Sequence, residues 1–261
     1  MNNYKVCCIT LCKNEIDIIP FCIDYWKRIA DKVVVYDNGS TDGSIEELQK
    51  HHFIEVRHFD SNGQNDLVQK EVKQNAYQEF KNDYDIIILS DMDEVFYFDD
   101  FKALASEMID GGYNILATPI YSLCENFKPQ YKQGKYLHQL CHKFYKQRMN
   151  HMKGMENISK LSIFNTRATD NVAMSVGQHI VSTSPSMKIL YTDKGFNLHF
   201  DKGFGLEQKY KIRKKMNDNL SAENKRYNLC IEYADSFEKL KNDYLKNQEN
   251  SFDINDRYNN N

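Results

Sequence analysis

The sequence lacks glycine near its N-terminus. Its first glycine is Gly39, so no glycine-rich turn follows the first predicted strand. Such a turn lets the backbone approach the phosphates in dinucleotide-binding Rossmann proteins and in P-loop proteins. A nucleotidyltransferase usually needs a similar loop at this point of the chain. The absence therefore argues against all three classes.

Long hydrophobic runs are also missing. No apolar stretch reaches the roughly 18 residues that a membrane span needs. The N-terminal MNNYKVCCITL is too short and too polar at its start for a secretory signal, and it reads as a strand. The seven cysteines are an odd number at scattered positions, which is typical of reduced thiols in a cytoplasm. We therefore expect a soluble cytoplasmic protein.

The chain has no strong excess of charge of either sign. It carries 34 Lys and Arg against 37 Asp and Glu, for a net charge of −3, which gives no reason to expect a nucleic acid as partner. Its 261 residues, 41% of them hydrophobic, are enough for one large domain or for a domain with a smaller appendage.

Hydrophobic periodicity predicts that strands and helices alternate up to about residue 110, which indicates a mostly parallel sheet with helices on both faces. The predicted strands are 5–11, 33–36, 53–59 and 85–89, and the predicted helices are 16–30, 45–51 and 67–80. Beyond them we expect strands over 113–121, 161–165 and 188–191, an irregular segment over 125–157, and charged helices from 204 onward.

A cluster of polar side chains follows the second predicted strand, in VVVYDNGSTDGS (Val33–Ser44). One interpretation is a simple strand-to-helix connection in which Thr41 or Asp42 is the helix N-cap. The other is a ligand site that includes Asp37 and Asn38, because open α/β sheets bind ligands at the carboxyl ends of their strands.

A second acidic cluster, SDMDEV, follows the apolar strand DIIIL. Alternation along an extended chain predicts Asp91 and Asp93 on one face, with Met92 and Glu94 turned away. Neighbouring carboxylates repel, and a divalent cation such as Mg²⁺ or Mn²⁺ relieves that repulsion. The alternative is a solvated turn, since Asp is common in loops.

Together the segments TLCKNE, YDNGSTDGS and SDMDE resemble the nucleotide-sugar-dependent family 2 glycosyltransferases of the GT-A fold. The nearest resemblance is to a bacterial branch with the pattern KNE…DNGSTDGS…DxDE, often encoded in polysaccharide and glycan-assembly loci. Two later segments, Gly177–His179 and Asn197–Phe200, match the Gly-x-His and LHF elements of that branch. The resemblance is strongest over residues 4–100 and weaker from 160 to 230.

The resemblance implies a nucleotide site at the ends of the first two strands. In the family these segments hold the base and the ribose, which here points to Asn14, Glu15, Asp37 and Asn38. The usual family sequence has Asp at the position of Asn38, so the base contact at that position is expected to differ.

The resemblance also implies a metal site for Mn²⁺ or Mg²⁺. The family's D-x-D pair grips the ribose and the metal-bound diphosphate, and the matching residues here are Asp91 and Asp93. A C-terminal histidine often completes the site, and His199 matches it.

The acceptor hydroxyl needs a general base, usually a carboxylate in an inverting enzyme. Glu94 adjoins the predicted metal pair, whereas Glu156 and Asp170 lie in the region expected to face the acceptor. His179 is a further candidate, and the sequence does not choose among the four.

Fold and function are then expected as follows. Residues 1–203 form the GT-A domain, with a nucleotide-binding half (1–110) and an acceptor-side half (111–203), and 204–261 form a helical extension. The expected enzyme transfers a sugar, with inversion, from a UDP-sugar to a glycan or lipid-linked acceptor in bacterial surface polysaccharide assembly. The basic segment 209–215 is either a solvated face or a contact to a phosphate-bearing acceptor or to an anionic membrane surface. The alternatives are a nucleotidyltransferase acting on sugar phosphates and a non-catalytic glycan-binding module.

Overall fold

The computed structural model describes residues 4–147, 152–155, 158–201 and 203–256. The strands are β1 (Val6–Cys12), β2 (Lys32–Asp37), β3 (Ile54–His58), β4 (Ile86–Asp91), β5 (Glu94–Phe98), β6 (Ile115–Ala117), β7 (Ile120–Leu123), β8 (Phe144–Lys146), β9 (Ile163–Asn165), β10 (Asn171–Met174), β11 (Val181–Ser184), β12 (Ile189–Tyr191) and β13 (Gly195–His199). The helices are α1 (Ile19–Ile29), α2 (Ser44–Leu48), α3 (Asp66–Phe80), α4 (Phe101–Asp110), α5 (Leu206–Asp218), α6 (Ala222–Arg226) and α7 (Phe237–Glu249).

The main sheet has seven strands in the order β12-β6-β9-β4-β1-β2-β3. Strand β1 pairs in parallel with β2 on one side and with β4 on the other, and all seven of its residues are buried. This burial on both faces explains why its sequence is continuously apolar rather than alternating. The predicted mostly parallel α/β sheet is confirmed, with β9 as the antiparallel exception between β4 and β6.

Helices cover both faces of this sheet, as predicted. Successive β1 side chains enter different cores: Cys8 packs in the one that contains helices α1 and α4, and Ile9 in the one that contains α3. Helix α1 tolerates Pro20 because the proline lies in its first turn, where an N–H would have no partner within the helix.

A second sheet has four strands in the order β5-β13-β7-β8. The single strand predicted over 113–121 is wrong, because the chain leaves the main sheet after β6 and enters the second sheet as β7. Pro119 lies at the crossing; it cannot donate a ladder hydrogen bond, but its carbonyl accepts one from the Asn197 amide at 2.9 Å.

The second sheet brings a late segment of the chain back to the acidic turn. Strand β13 lies antiparallel to β5, with His199 opposite Glu94 in the register. On its other side it lies parallel to β7, with His199 opposite Ser122. A residue more than a hundred positions after the acidic turn is thereby fixed beside it.

The C-terminal helices dock on the segment that follows β7. The amide of Gly205 donates to the Glu125 carbonyl at 3.1 Å, just before α5 begins. From α7, the buried Tyr244 hydroxyl lies 3.1 Å from the Cys124 carbonyl oxygen, 2.6 Å from that of Glu125 and 2.9 Å from Asn126 Oδ1. Within the described part of the chain, no helix has the length and apolar character needed to cross a membrane.

The basic residues of helix α5 do not all face solvent. Lys209 is only 2% exposed and donates to the Phe200 and Asp201 carbonyls, whereas Lys211, Lys214 and Lys215 are exposed. The charged helix therefore has a buried cationic side and a solvent-facing one.

We predict that Tyr244→Phe lowers the free energy of unfolding by about 1 kcal/mol, because it removes a buried hydroxyl that ties α7 to the segment after β7. Chemical denaturation of the variant and of Tyr227→Phe, an exposed control, measures the difference. Equal losses in the two variants would show that the Tyr244 hydroxyl does not hold α7 in place.

Candidate functional site

Three strands of the main sheet end at one edge, as predicted. In the register, Cys12 at the end of β1 lies opposite Asp37 on β2, and Leu11 lies opposite Asp91 on β4. Since neighbouring strands are about 4.8 Å apart, Asp37 and Asp91 flank the end of β1 at about 10 Å from each other.

The loop after β2 is organised by Asp37. Its buried carboxylate accepts hydrogen bonds from the amides of Gly39 at 2.8 Å and Ser40 at 2.9 Å, and from the Ser40 hydroxyl. Neither Thr41 nor Asp42 is the N-cap of α2, because Gly43 holds that position. The polar cluster thus forms a structured loop at the sheet edge rather than a helix cap.

The KNE segment is joined to this loop. Asn14 has a left-handed backbone (φ 57°), its amide donates to Ser40 Oγ at 2.8 Å, and its side-chain oxygen accepts from the Thr41 amide at 2.8 Å. The Glu15 amide donates to Ser44 Oγ at 3.0 Å. The two sequence motifs therefore occur together because each satisfies polar groups of the other.

Asn38 faces a third loop, which the sequence analysis missed. Its side-chain nitrogen donates to Ser61 Oγ at 2.6 Å, and its side-chain oxygen accepts from the Ser61 amide at 3.2 Å. Lys13 donates to the Asn38 carbonyl at 2.6 Å. The loops after β1, β2 and β3 therefore form one connected surface.

The acidic segment is a turn and not an extended strand. Strand β4 ends at Asp91, β5 begins at Glu94, and the two residues between them turn the chain from one sheet into the other. The predicted alternation is therefore wrong. The Asp91 and Glu94 carboxylates both approach Lys160 Nζ, at 3.3 and 2.6 Å.

Two buried lysines hold Asp91, and the sequence did not reveal either. Lys73 of α3 lies 2.8 Å from Asp91 Oδ1, and Lys160 lies 3.3 Å from Oδ2. Burial lowers the pKa of Lys160, but Glu94 and then Asp91 raise it more, so that pKa lies above its ordinary value and the ammonium stays charged.

Gln178, in the VGQH segment, connects these groups to the sheet. Its side-chain nitrogen donates to the carbonyls of Leu89 at 3.3 Å and Leu161 at 3.1 Å. Its side-chain oxygen accepts from Lys73 at 3.4 Å. The VGQH motif was the signal available in the sequence, although it pointed to its histidine.

Asp93 and His199 form the arrangement best suited to a cation. His199 Nε2 lies 3.8 Å from Asp93 Oδ2, and His199 Nδ1 lies 3.0 Å from Gln147 Oε1. With Nδ1–H donating to the glutamine oxygen, Nε2 presents a lone pair toward a carboxylate oxygen. Two acceptors facing each other suit a metal ion, and the outer hydrogen bond fixes the imidazole tautomer.

Asp91 does not join this pair, contrary to the expected three-ligand set, because its oxygens face Lys73 and Lys160. Over the residues that the structure describes, no group of three or more Asp, Glu, His and Cys side chains is placed to hold a metal. Asp93 and His199 could therefore supply two ligands to a cation, but the described residues supply no third.

The candidate bases lie in different places. Glu94 is buried against Lys160, and its Oε2 has no hydrogen-bond partner among the described residues. Asp170 is exposed beside the end of α3, since Lys81 donates to its carbonyl at 2.7 Å. His179 is partly exposed and follows Gln178, which contacts β4 near its end, and Glu156 lies outside the described residues.

Solved structures with similarity to this chain include two synthases. Glucosyl-3-phosphoglycerate synthase from Mycobacterium tuberculosis is 15% identical, with a TM-score of 0.32 over 45% of this chain and 44% of its own. Mannosyl-3-phosphoglycerate synthase from Rubrobacter xylanophilus is 11% identical, with a TM-score of 0.40 over 84% and 77%.

A third similar structure is GalNAc-T7 with UDP, GalNAc and Mn²⁺, at 11% identity and a TM-score of 0.41 over 93% of this chain and 54% of its own. This chain thus spans less than half of the mycobacterial synthase. No protein of curated function matches it in sequence.

The sequence profile of glycosyl transferase family 2 matches residues 7–172, which is more than half of the chain. The match contains the loops after β1 and β2, the acidic turn and both buried lysines. The chain belongs to glycosyl transferase family 2.

Proposed function

We propose that this protein is a cytoplasmic enzyme that transfers a sugar, with inversion, from a UDP-sugar to a hydroxyl of a glycan or lipid-linked acceptor in bacterial surface polysaccharide assembly. The observation that supports this most is the convergence, at one sheet edge, of the loop around Asp37, the acidic turn and His199. This edge offers polar groups for a nucleoside beside a carboxylate–imidazole pair for a cation.

The nucleoside lies against the surface formed by the loops after β1, β2 and β3. Asp37 and Asn14 hold this surface through contacts to backbone amides. Because these contacts already exist, binding does not have to order the loops, and less affinity is lost to conformational entropy. Glu15 and Asn38 complete the proposed nucleotide site.

The diphosphate lies near the acidic turn. Asp93 and His199 would hold a Mn²⁺ or Mg²⁺ ion, which offsets the negative charge that develops on the leaving diphosphate. Lys73 and Lys160 fix Asp91, which we assign to the ribose rather than to the metal. With three carboxylates and two ammonium groups, the turn and its lysines carry one net negative charge, which attracts a cation.

His179 is our candidate for the group that accepts the proton of the acceptor hydroxyl. It is partly exposed at the catalytic edge, next to Gln178, which contacts the last residues of β4. Glu94 suits this role less, since its carboxylate is buried and lies 2.6 Å from the Lys160 ammonium. Its place beside Lys160 indicates a structural role.

The proposed function is tested with a panel of nucleotide-sugars and Mn²⁺, measured as a rise in melting temperature and as release of nucleoside diphosphate. Asp37→Ala should weaken nucleoside diphosphate binding about tenfold, equivalent to about 1.4 kcal/mol, because the loop amides lose their acceptor. Asp83→Ala, an exposed change at the other end of β4, is the control. Unchanged affinity in a folded Asp37 variant removes that residue from the site.

The metal pair is tested by titrating Mn²⁺ in the presence of nucleoside diphosphate. His199→Ala should raise the Mn²⁺ concentration needed for half-maximal activity, with the fold preserved, and Asp93→Ala should cost more because it removes a charged ligand. Calorimetric Mn²⁺ binding gives a readout independent of turnover, and the exposed His52→Ala is the control. A metal requirement unaltered by His199→Ala would contradict the assignment.

The base is tested by His179→Ala, which should lower kcat by roughly 10²- to 10⁴-fold with little change in nucleotide affinity. Gly177→Ala probes the position of the ring: a Cβ there would lie 2.7 Å from the His179 ring atoms, and its φ of +67° disfavours a side chain. Both variants should lower kcat more than they weaken nucleotide binding. A kcat within twofold of wild type in His179→Ala assigns the proton transfer to another group.

A further inference from the structure

A cavity of about 330 Å³ lies where the C-terminal helices meet the second sheet, and the proposed reaction does not use it. Helices α5 and α7 form one side, and β7 and β8 form the other. The residues on which its chemistry depends are Tyr145, Asp201, Lys209, Arg213, Asp243 and Lys246.

The interior of this cavity holds more positive than negative charge. Arg213 Nη2 lies 3.1 and 3.3 Å from the two carboxylate oxygens of Asp201, and Lys209 Nζ lies 3.5 Å from one of them. Two cations therefore share a single carboxylate. At the rim, Asp243 and Lys246 are exposed and of opposite sign, so they do not change this balance.

Arg213 has hydrogen-bond donors that the described residues do not use, whereas the Lys209 ammonium already has its acceptors. The Lys209 ammonium already donates to the Phe200 carbonyl at 3.2 Å and to the Asp201 carbonyl at 2.7 Å. By contrast, Arg213 Nε is buried and has no hydrogen-bond partner among the described residues. Nε itself is enclosed, but the hydrogen bonds of this guanidinium to described residues all come from Nη2 and its side chain is 18% exposed, so its Nη1 donors remain for an anionic ligand.

The cavity adjoins the proposed metal pair. Asp201 follows His199 by two residues, a span of about 7 Å at most. The opposite wall of the cavity also connects to the metal pair. Tyr145 hydrogen-bonds to Ser122, and Ser122 Oγ lies 3.5 Å from His199 Nδ1. A ligand in the cavity would thus lie beside the sugar-transfer site.

We propose that this cavity binds a phosphate group carried by the acceptor, with Arg213 as the residue that recognises it. A guanidinium presents a planar fork of donors that matches phosphate oxygens. The volume is at the lower end of the range for small-molecule sites and accommodates a phosphate with part of a sugar. This inference rests on the proposed function, since it names the class of its acceptor.

The test titrates inorganic phosphate, at constant ionic strength, into protein saturated with UDP and Mg²⁺, so that the donor site is already filled. Wild-type protein should bind phosphate, and Arg213→Gln should bind it at least tenfold more weakly. Lys211→Gln, which removes one charge from the exposed side of the same helix, should bind like wild type. Arg213→Lys, which keeps the charge and loses the fork, should fall between them.

Two results of this titration would overturn the inference. One is the absence of phosphate binding to the UDP-saturated wild type, which requires no variant to fold. The other is equal affinity in wild type and Arg213→Gln. UDP affinity of the wild type is measured separately. If the wild type binds phosphate but not UDP, the result counts against the proposed transferase. If it binds UDP but not phosphate, the result counts against this cavity alone.

The source of the phosphate is distinguished by two competitors. Displacement of inorganic phosphate by glucose 1-phosphate indicates a soluble sugar phosphate. Displacement by phosphatidylcholine vesicles that contain phosphatidic acid, weakened when Lys211, Lys214 and Lys215 are changed to Glu, indicates a lipid-linked phosphate at a membrane surface. Displacement by either competitor supports the proposal. If neither competitor displaces inorganic phosphate, that result contradicts a phosphate-bearing acceptor.

Discussion

The sheet edge that carries the candidate site depends on the contact of one buried ammonium with two carboxylates. Lys160 Nζ lies within 3.3 Å of Asp91, the last residue of β4, and within 2.6 Å of Glu94, the first residue of β5. The same side chain thus connects the two sheets at the point where the chain passes between them. Removing the lysine would leave the buried Glu94 carboxylate without its cation and Asp91 with Lys73 alone, which is more costly than losing an exposed ion pair.

This contact also decides which acidic residue is available for a cation. Because Lys73 and Lys160 occupy the oxygens of Asp91, the residue left facing an imidazole is Asp93. Because a turn separates Asp91 from Asp93, the two carboxylates face different partners and we propose different roles for them. The divalent ion of the family would then meet one carboxylate and one histidine from the protein, and the substrate would supply the other ligands.

Much of the fold could be predicted from local sequence, because apolar periodicity reports burial directly. The strand ends that carry Asp37 and Asp91 were identified in this way, as were the helices between them. The buried lysines could not be, since a lysine on a helix or in a loop is normally solvated, and only the tertiary fold reveals that Lys73 and Lys160 are enclosed. The turn at Met92 and the inward side of α5 were missed for the same reason.

Strand β13 lies far along the chain from the loops around Asp37, and this separation has a consequence for local stability. The loops around Asp37 are held by contacts within the first third of the chain, whereas the cation pair needs His199, which reaches the edge only through the pairing of β13 with β5 and β7. Partial unfolding that releases β13 would dismantle the pair and leave the nucleotide surface formed. The buried side chains of β13 share one hydrophobic core with those of β1 and β2, so comparing the hydrogen-exchange protection of β13 with that of β1 would show whether the proposed cation pair opens separately.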